Sequence, residues 1–220
     1  MGSKTPVQRS GAPERRRRLA AILAQLYPEP RSELVFVGEY QLVTAVILSA
    51  QCTDRKVNEV TAVLFKAYPD FAALARARRT AVERIIRPVN YYATKAKNII
   101  AMGTMVVERF GGALPRTHGE LIMLPGVGNK TANVVLGELG ITPAFPVDTH
   151  VKRLANRLGL SNARVPDKVE ADLKRLFPPD SWRNLHHRLI FHGRRVCAAQ
   201  RPRCGECALG ELCPSRRTDG

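Results

Sequence analysis

Apolar residues along the chain recur at the spacing of amphipathic helices. Residues 19–26, 151–158 and 182–189 each show the i, i+3, i+4, i+7 stripe of one helix face. The run 42–48 is apolar on every side, and no turn or alternating partner strand lies nearby, so it predicts a buried helix rather than a strand. Prolines separate these segments. The pattern therefore predicts an all-α protein.

Two helix starts carry the pattern of a capping box. Thr80 precedes Glu83 by three residues, and Thr117 precedes Glu120 in the same way. In a capping box the hydroxyl and the carboxylate each accept a hydrogen bond from an otherwise unpaired amide. We expect one helix to begin at each site.

Composition narrows the class of partner. The 220 residues suit one large or two small domains, and 35 Lys and Arg against 19 Asp and Glu give a net charge of +16. Such a surface attracts polyanions, and nucleic acid is the usual one. An anionic membrane and a simple solubility charge are the alternatives. No amphipathic helix with exposed aromatic residues, no apolar run of membrane-spanning length and no secretory signal is found. We therefore expect no membrane partner, a cytoplasmic, nucleoid-associated location, and a flexible basic N-terminus over residues 1–11.

The most informative local segment reads L-P-G-V-G-N-K-T over residues 124–131. Gly126 and Gly128 can take positive φ, which most residues cannot, and together they permit a tight turn between two short helices. Outward-facing amides and the positive end of the second helix would bind a phosphate without base preference. A Walker loop requires Gly where Asn129 stands, and a dinucleotide loop requires Gly where Thr131 stands. The segment predicts a helix-hairpin-helix, with an ordinary cap and turn as the alternative.

Lys130 and Asp148 are the candidates for chemistry. Lys130 falls in the first turn of the second helix, where the dipole, neighbouring cations and partial burial would favour a neutral, nucleophilic amine. Its alternative role is a phosphate contact. Asp148 suits the N-cap of the next helix. Its carboxylate could also stabilise a sugar cation or help to deprotonate Lys130.

Four of the five cysteines crowd one short segment: Cys197, Cys204, Cys207 and Cys213. Four thiolates suit a zinc ion or a [4Fe-4S] cluster. Zinc usually takes paired C-x-x-C knuckles and only one C-x-x-C is present, so the cluster is favoured. Bound there, it would fix a segment whose arginines could grip phosphates. Cys52 lies far away and predicts a small buried apolar residue.

Together these motifs resemble the endonuclease III family, helix-hairpin-helix DNA glycosylase/AP lyases with a [4Fe-4S] cluster. The match extends from about residue 14 to 214 and rests on L-S-A-Q-C-T-D at 48–54, the hairpin at 124–132, V-D-T-H at 147–150 and the 6-2-5 cysteine spacing. It implies removal of oxidised pyrimidines from duplex DNA and cleavage 3′ to the abasic site. Lys130 would attack the sugar C1′ and form a Schiff base, and Asp148 would be its carboxylate partner.

The resemblance also implies an architecture. A six-helix lobe, 31–142, with the hairpin at about 119–139, would be inserted into a cluster lobe made from 12–30 and 143–220. Damaged DNA would lie in the cleft between them, bound by a monomer. Gln51 would fill the gap left by the extruded base. The residues expected at the DNA are Gln51, Asn90, Tyr91, Gly126, Val127, Gly128, Lys130, Thr131, Arg194 and Arg203.

Two positions depart from the family pattern. Tyr91 stands where the family often has a leucine wedge, and an aromatic ring there could stack on the opposite base or pack on the surface. Ile122 stands where the family often has an acidic residue.

Two other functions are alternatives to this interpretation. The first is an adenine-specific mismatch glycosylase, which Lys130 and the short tail after Cys213 disfavour. The second is a non-catalytic DNA-binding module, which only an experiment can distinguish from a lyase.

Overall fold

The computed structural model of the chain describes residues 13–217. The predicted flexible N-terminus lies outside the described residues. The described part is helical, without strands, which confirms the predicted all-α class. Its eleven α-helices are α1 Pro13–Leu26, α2 Gly38–Ser49, α3 Asp54–Ala67, α4 Phe71–Ala75, α5 Arg79–Ile86, α6 Tyr92–Phe110, α7 His118–Leu121, α8 Asn129–Glu138, α9 Thr149–Arg157, α10 Pro166–Leu176 and α11 Trp182–Arg195. Two short 3₁₀ helices are Pro179–Ser181 and Gly210–Leu212.

The chain divides into two compact units. The continuous unit is Ser32–Thr142, and the discontinuous unit combines Met1–Arg31 with Pro143–Gly220. The continuous unit contains α2 to α8, and the discontinuous unit contains α1 and α9 to α11. Each has its own apolar core.

Helix α2 forms the centre of the continuous unit. Every residue from Leu42 to Leu48 is buried, which confirms the buried helix predicted from its apolar run. The helix packs against α3, α6 and α8, so apolar neighbours surround it. A helix that is apolar all round requires such a position.

In the discontinuous unit, α1 packs on α11 and also holds the C-terminal segment. Leu19 and Leu23 are buried in the core that α9, α10 and α11 share. The Arg15 guanidinium donates from Nε to the carbonyl of Leu212 at 3.0 Å and from Nη2 to the carbonyl of Leu158 at 2.5 Å. A charged planar donor satisfies two carbonyls of different elements at once. The N-terminal helix and the cysteine segment therefore belong to one packed body.

One of the two predicted capping boxes is wrong. Thr117 is the N-cap of α7, and its hydroxyl accepts from the Glu120 amide at 3.2 Å. By contrast, α5 begins at Arg79 with Arg78 as its N-cap, so Thr80 lies inside the helix. Glu83 instead accepts from Arg79 Nε at 2.6 Å, one turn away. The i, i+4 ion pair thus uses the carboxylate that the capping box would have needed.

None of the helices in the part of the chain that the structure describes combines the length and the apolar composition needed to cross a bilayer.

Candidate functional site

The segment between α7 and α8 forms a tight turn at Gly126, whose φ is +85°. A Cβ added to Gly126 would come 3.0 Å from Asn98 Cβ and 3.2 Å from Ile47 Cγ2. Val127 is buried and its amide donates to the Leu124 carbonyl at 3.0 Å. The turn therefore lies against α2 and α6, where both its conformation and its space require glycine.

Gly128 does not use the positive φ that glycine permits. It is the N-cap of α8, with φ −97° and ψ 179°, and no side chain caps the helix. Extended backbone is the ordinary N-cap conformation, so Gly128 needs no left-handed φ. A Cβ there would meet nothing within 4 Å. The first amides of α8 have no partner inside the helix, and a glycine N-cap leaves the approach to them open.

Lys130 and Thr131 lie in the first turn of α8. Lys130 is exposed, so its expected partial burial is wrong, and Thr131 is half-buried. The buried face of α8 instead carries Ala132, Val135 and Leu136, and Lys130 points away from it. The chain thus presents the Lys130 amine to solvent beside the helix N-terminus.

His118 of α7 contacts the residue next to this lysine. Its Nε2 lies 2.7 Å from Asn129 Oδ1, and Asn129 begins α8. The contact joins the two helices of the hairpin. Eleven residues separate His118 from Asn129, and no sequence motif links the two, so this contact was not predicted.

Asp148 is the N-cap of α9, as predicted. Its Oδ1 accepts from the Val151 amide at 2.7 Å, and the residue is half-buried. Asp148 belongs to the discontinuous unit, whereas Lys130 belongs to the continuous unit. The helix dipole favours a carboxylate at this end of α9. The N-cap role leaves Oδ2 of the carboxylate for a second function.

Arginine and histidine behind Asp148 tie α9 to α11. Arg153 Nη2 donates to the Gly193 carbonyl at 2.9 Å and lies 3.1 Å from His150 Nδ1. Burial lowers the pKa of His150, and Arg153 adds to this effect while Asp148 opposes it. A Cβ on Gly193 would come 3.1 Å from both side chains. The base of the Asp148 helix is therefore closely packed and held by a cation.

The four C-terminal cysteines line one pocket that is partly open to solvent. Among the described residues, no three His, Cys, Asp or Glu side chains are arranged to hold a single metal ion. A tetrahedral zinc site needs four donors converging on one point. In a [4Fe-4S] cluster the thiolates surround a larger group, because each binds a different iron. Four thiols on one pocket are the donor set of a [4Fe-4S] cluster, so the lining is compatible with that group.

Two nitrogens lie close to the sulfurs of this pocket. Arg157 Nη1 donates to Cys197 Sγ at 3.2 Å, and His192 Nε2 lies 3.3 Å from Cys207 Sγ. Burial raises the pKa of the Cys207 and Cys213 thiols, and the neighbouring cysteines raise it further. Four thiolates thus repel one another here unless cationic charge lies between them, and iron would supply that charge.

The remaining predicted cysteine, Cys52, lies in the turn between α2 and α3. It is half-buried and packs against the core of the continuous unit, so the prediction of full burial is only partly met.

Gln51, Asn90 and Tyr91 come together in the continuous unit. Asn90 Nδ2 donates to the Gln51 carbonyl at 2.6 Å. Gln51 and Tyr91 have left-handed backbones, with φ of 54° and 57°, which is uncommon for residues other than glycine. Tyr91 is 67% exposed. The structure therefore presents a glutamine and a tyrosine side by side from two strained turns.

Arg194 and Arg203 lie at the rim of the cysteine segment. Both are exposed. Arg203 donates to the carbonyl of Arg195 and pairs with Glu206 at 3.6 Å, whereas Arg194 lies at the end of α11. Part of the Arg203 guanidinium thus already binds groups of the protein itself.

Comparison with known proteins decides the family. The sequence profile of the HhH-GPD superfamily base excision DNA repair proteins matches residues 44–179. Endonuclease III of Synechocystis sp. is 48% identical over 203 residues, 92% of this chain and 93% of its own. The protein belongs to the endonuclease III family. Endonuclease III of Bacillus subtilis is 45% identical over 197 residues, 87% of this chain and 88% of its own.

A solved structure has the same fold. The structure of a trapped endonuclease III–DNA covalent intermediate, an estranged-adenine complex, aligns with a TM-score of 0.88 at 39% identity. The alignment covers 93% of this chain and 96% of the other. As a member of the endonuclease III family, the protein is a base-excision-repair enzyme of the DNA glycosylase/AP lyase class. The predicted family and enzyme class are confirmed, and the roles of individual residues stay predictions.

Lys95 is a further notable residue of the continuous unit, and the sequence motifs did not identify it. Lys95 of α6 is buried, although lysine is almost always exposed. A signal was available, because Lys95 shares a helix face with the buried Ile99, Met102 and Val106 at i+4, i+7 and i+11. A lysine within an apolar stripe needs a specific partner.

Proposed function

We propose that the protein removes oxidised pyrimidines from duplex DNA and then cleaves the strand 3′ to the abasic site. The observation that carries this proposal is the exposed Lys130 amine, held beside an open helix N-terminus by a glycine turn, in a member of this family. A relative with the same fold was trapped as a covalent intermediate with DNA, which supports covalent chemistry here.

In the proposed reaction, the Lys130 Nζ lone pair attacks C1′ of the extruded nucleotide and the C1′–N bond to the base breaks. The base leaves with the bonding electrons and a proton. Ring opening gives a Schiff base between Nζ and C1′. Loss of a C2′ proton then breaks the C3′–O bond and expels the 3′ phosphate, which is the β-elimination. Water hydrolyses the remaining Schiff base and regenerates the amine.

Asp148 is proposed to act with Lys130. An ionised carboxylate stabilises the positive charge that develops on the sugar as the base leaves, and it accepts a proton from the lysine ammonium. Support comes from the position of Asp148 at the N-terminus of α9, where its Oδ1 accepts a hydrogen bond from the Val151 amide. Its second oxygen is the one assigned to the reaction.

The DNA contacts are proposed to divide by chemistry. The amides of Gly126, Gly128 and Thr131 would bind phosphate together with the α8 dipole, and Val127 would hold the turn. Arg194 and Arg203 would add phosphate contacts that weaken with salt. Gln51 would fill the gap in the stack, and the exposed Tyr91 ring would stack beside it with Asn90.

Cys197, Cys204, Cys207 and Cys213 are proposed to hold a [4Fe-4S] cluster. Its role would be structural, since ligation orders a segment with few apolar residues. We further propose that one chain acts alone on each lesion, and that it works on the nucleoid in the cytoplasm.

Borohydride trapping tests the proposed chemistry. Reduction of the Schiff base fixes protein to an abasic duplex, so the wild type should give a covalent adduct and Lys130→Ala should give none. Lys168→Ala removes another exposed helix lysine and should be trapped like the wild type. DNA binding by the wild type without any adduct would instead favour the non-catalytic binding module.

A further inference from the structure

Two turns of the continuous unit hold non-glycine residues in the left-handed region and expose them. Gln51 lies between α2 and α3, and Tyr91 is the N-cap of α6. This conformation is unfavourable for residues other than glycine and persists only where the surroundings fix it. Contacts from outside each turn are therefore expected to hold these two residues in place.

Lys95 makes hydrogen bonds next to both turns. Its Nζ donates to the Leu48 carbonyl at 2.8 Å and to the Ala50 carbonyl at 2.5 Å. Ala50 directly precedes Gln51 in the sequence. The Lys95 amide donates to the Tyr91 carbonyl at 3.0 Å. The side chain of Lys95 therefore binds the end of α2, and its backbone amide forms a hydrogen bond in the first turn of α6.

The charge of Lys95 suits this position. The last carbonyls of a helix have no intrahelical partner, and the helix dipole places negative charge there. Burial lowers the pKa of Lys95, and the nearby Cys52 opposes this effect. The two short carbonyl contacts favour the charged form and compensate part of the desolvation.

Two further contacts extend the same cluster. Asn90 Nδ2 donates to the Gln51 carbonyl, so the two turns are also joined at the surface. Ile47, one residue before Leu48, lies against Gly126 of the hairpin, as does Asn98 of α6. The ends of α2 and α6 that Lys95 connects thus also support the hairpin turn.

We propose that Lys95 and Asn90 are positioning residues that hold the Gln51 and Tyr91 turns as one preformed surface for entering the duplex at a lesion. This inference rests on the proposed function. Lys95 is only 6% exposed, so it acts through the turns rather than by touching DNA. Pre-organisation of this kind lowers the cost of extruding the nucleotide, because the surface that replaces it needs no ordering.

Lys95→Met tests the proposal, with Lys97→Met as the matched control. Lys97 is on the same helix and exposed, so its loss removes the same charge without the carbonyl contacts. Single-turnover base release from a duplex with an oxidised pyrimidine should slow by about ten-fold or more in Lys95→Met, since small misplacements have such effects. A 2-aminopurine beside the lesion should report less extrusion. Trapping on a single-stranded abasic oligonucleotide, which has no gap to fill, should stay within about two-fold.

A double-mutant cycle shows whether the effect passes through Gln51. Lys95→Met should add little to Gln51→Ala, because both remove the same function. Hydrogen exchange should rise over residues 49–54 in Lys95→Met and, more weakly, in Asn90→Ala, which covers the case where the first variant folds poorly. Equal losses on duplex and single-stranded DNA, additive effects with Gln51→Ala, or behaviour like Lys97→Met would overturn the proposal. If the wild type is never trapped, the proposed function fails, while extrusion and exchange still decide the role of Lys95.

Discussion

Gly126 and Gly128 stand two residues apart in one turn, yet the structure predicts opposite effects for Gly126→Ala and Gly128→Ala. At Gly126 a Cβ faces φ +85° and two side-chain atoms at 3.0 and 3.2 Å. The left-handed backbone costs about 1–2 kcal/mol, and overpacking adds about 1–3 kcal/mol. We expect Gly126→Ala to destabilise the continuous unit by about 2–5 kcal/mol, within the range of a large single-residue effect.

Gly128→Ala should leave the protein stable. Its backbone is extended and its Cβ position is empty, so the loss is that of a weaker N-cap, under about 1 kcal/mol. A methyl group there lies where a phosphate would approach the α8 amides, so affinity for duplex DNA should fall.

Thermal unfolding and DNA affinity, measured on both variants, test this contrast. Each kcal/mol lowers the Tm of a protein of this size by about 2–4 °C, so Gly126→Ala should show a large shift and Gly128→Ala a small one. Affinity at fixed salt should fall for Gly128→Ala while its Tm is preserved. Equal Tm losses, or a stable Gly126→Ala, would refute the reasoning about space and backbone at this turn.

Three further outcomes follow from the sites described above. Asp148→Asn keeps an oxygen for the Val151 amide, so stability should change by less than about 0.5 kcal/mol, while base release falls strongly; unchanged release would remove Asp148 from the reaction. The purified protein should be brown and contain about four irons per chain, and it should lose both when the iron is chelated; a colourless protein with stoichiometric zinc would contradict the cluster. Thr117→Ala should cost about 1 kcal/mol as a lost N-cap, whereas Thr80→Ala should cost less than about 0.5 kcal/mol; the reverse order in urea unfolding would contradict the observed helix starts.

Local patterns in the sequence were sufficient for much of the fold. The apolar run at 42–48 requires surroundings on every side, so it predicted a buried helix correctly. Asp148 precedes a helical stripe and is its N-cap. The same reasoning failed at Thr80, because a pattern of four residues does not show that Arg79 pairs with Glu83 and starts the helix earlier.

Parts of the candidate site depend on contacts distant in sequence and could not be predicted. Lys95 acts on carbonyls 45 and 47 residues away, and no periodicity specifies that partner. The expected burial of Lys130 was wrong because the direction of a side chain in the first helical turn depends on which face of α8 packs. Motif spacing identified the residue types, whereas the supporting contacts come from tertiary structure.

The contact between Arg15 and Leu212 has a consequence for biosynthesis. These residues are separated by 197 positions, so the discontinuous unit cannot close until nearly all of the chain has left the ribosome. The continuous unit needs only residues 32–142 and can condense earlier, since domains fold as they are completed. A nascent chain should therefore generate pulling force twice, first after the continuous unit emerges and again after Leu212. A single late pulling event would mean that the continuous unit folds only when the discontinuous unit does.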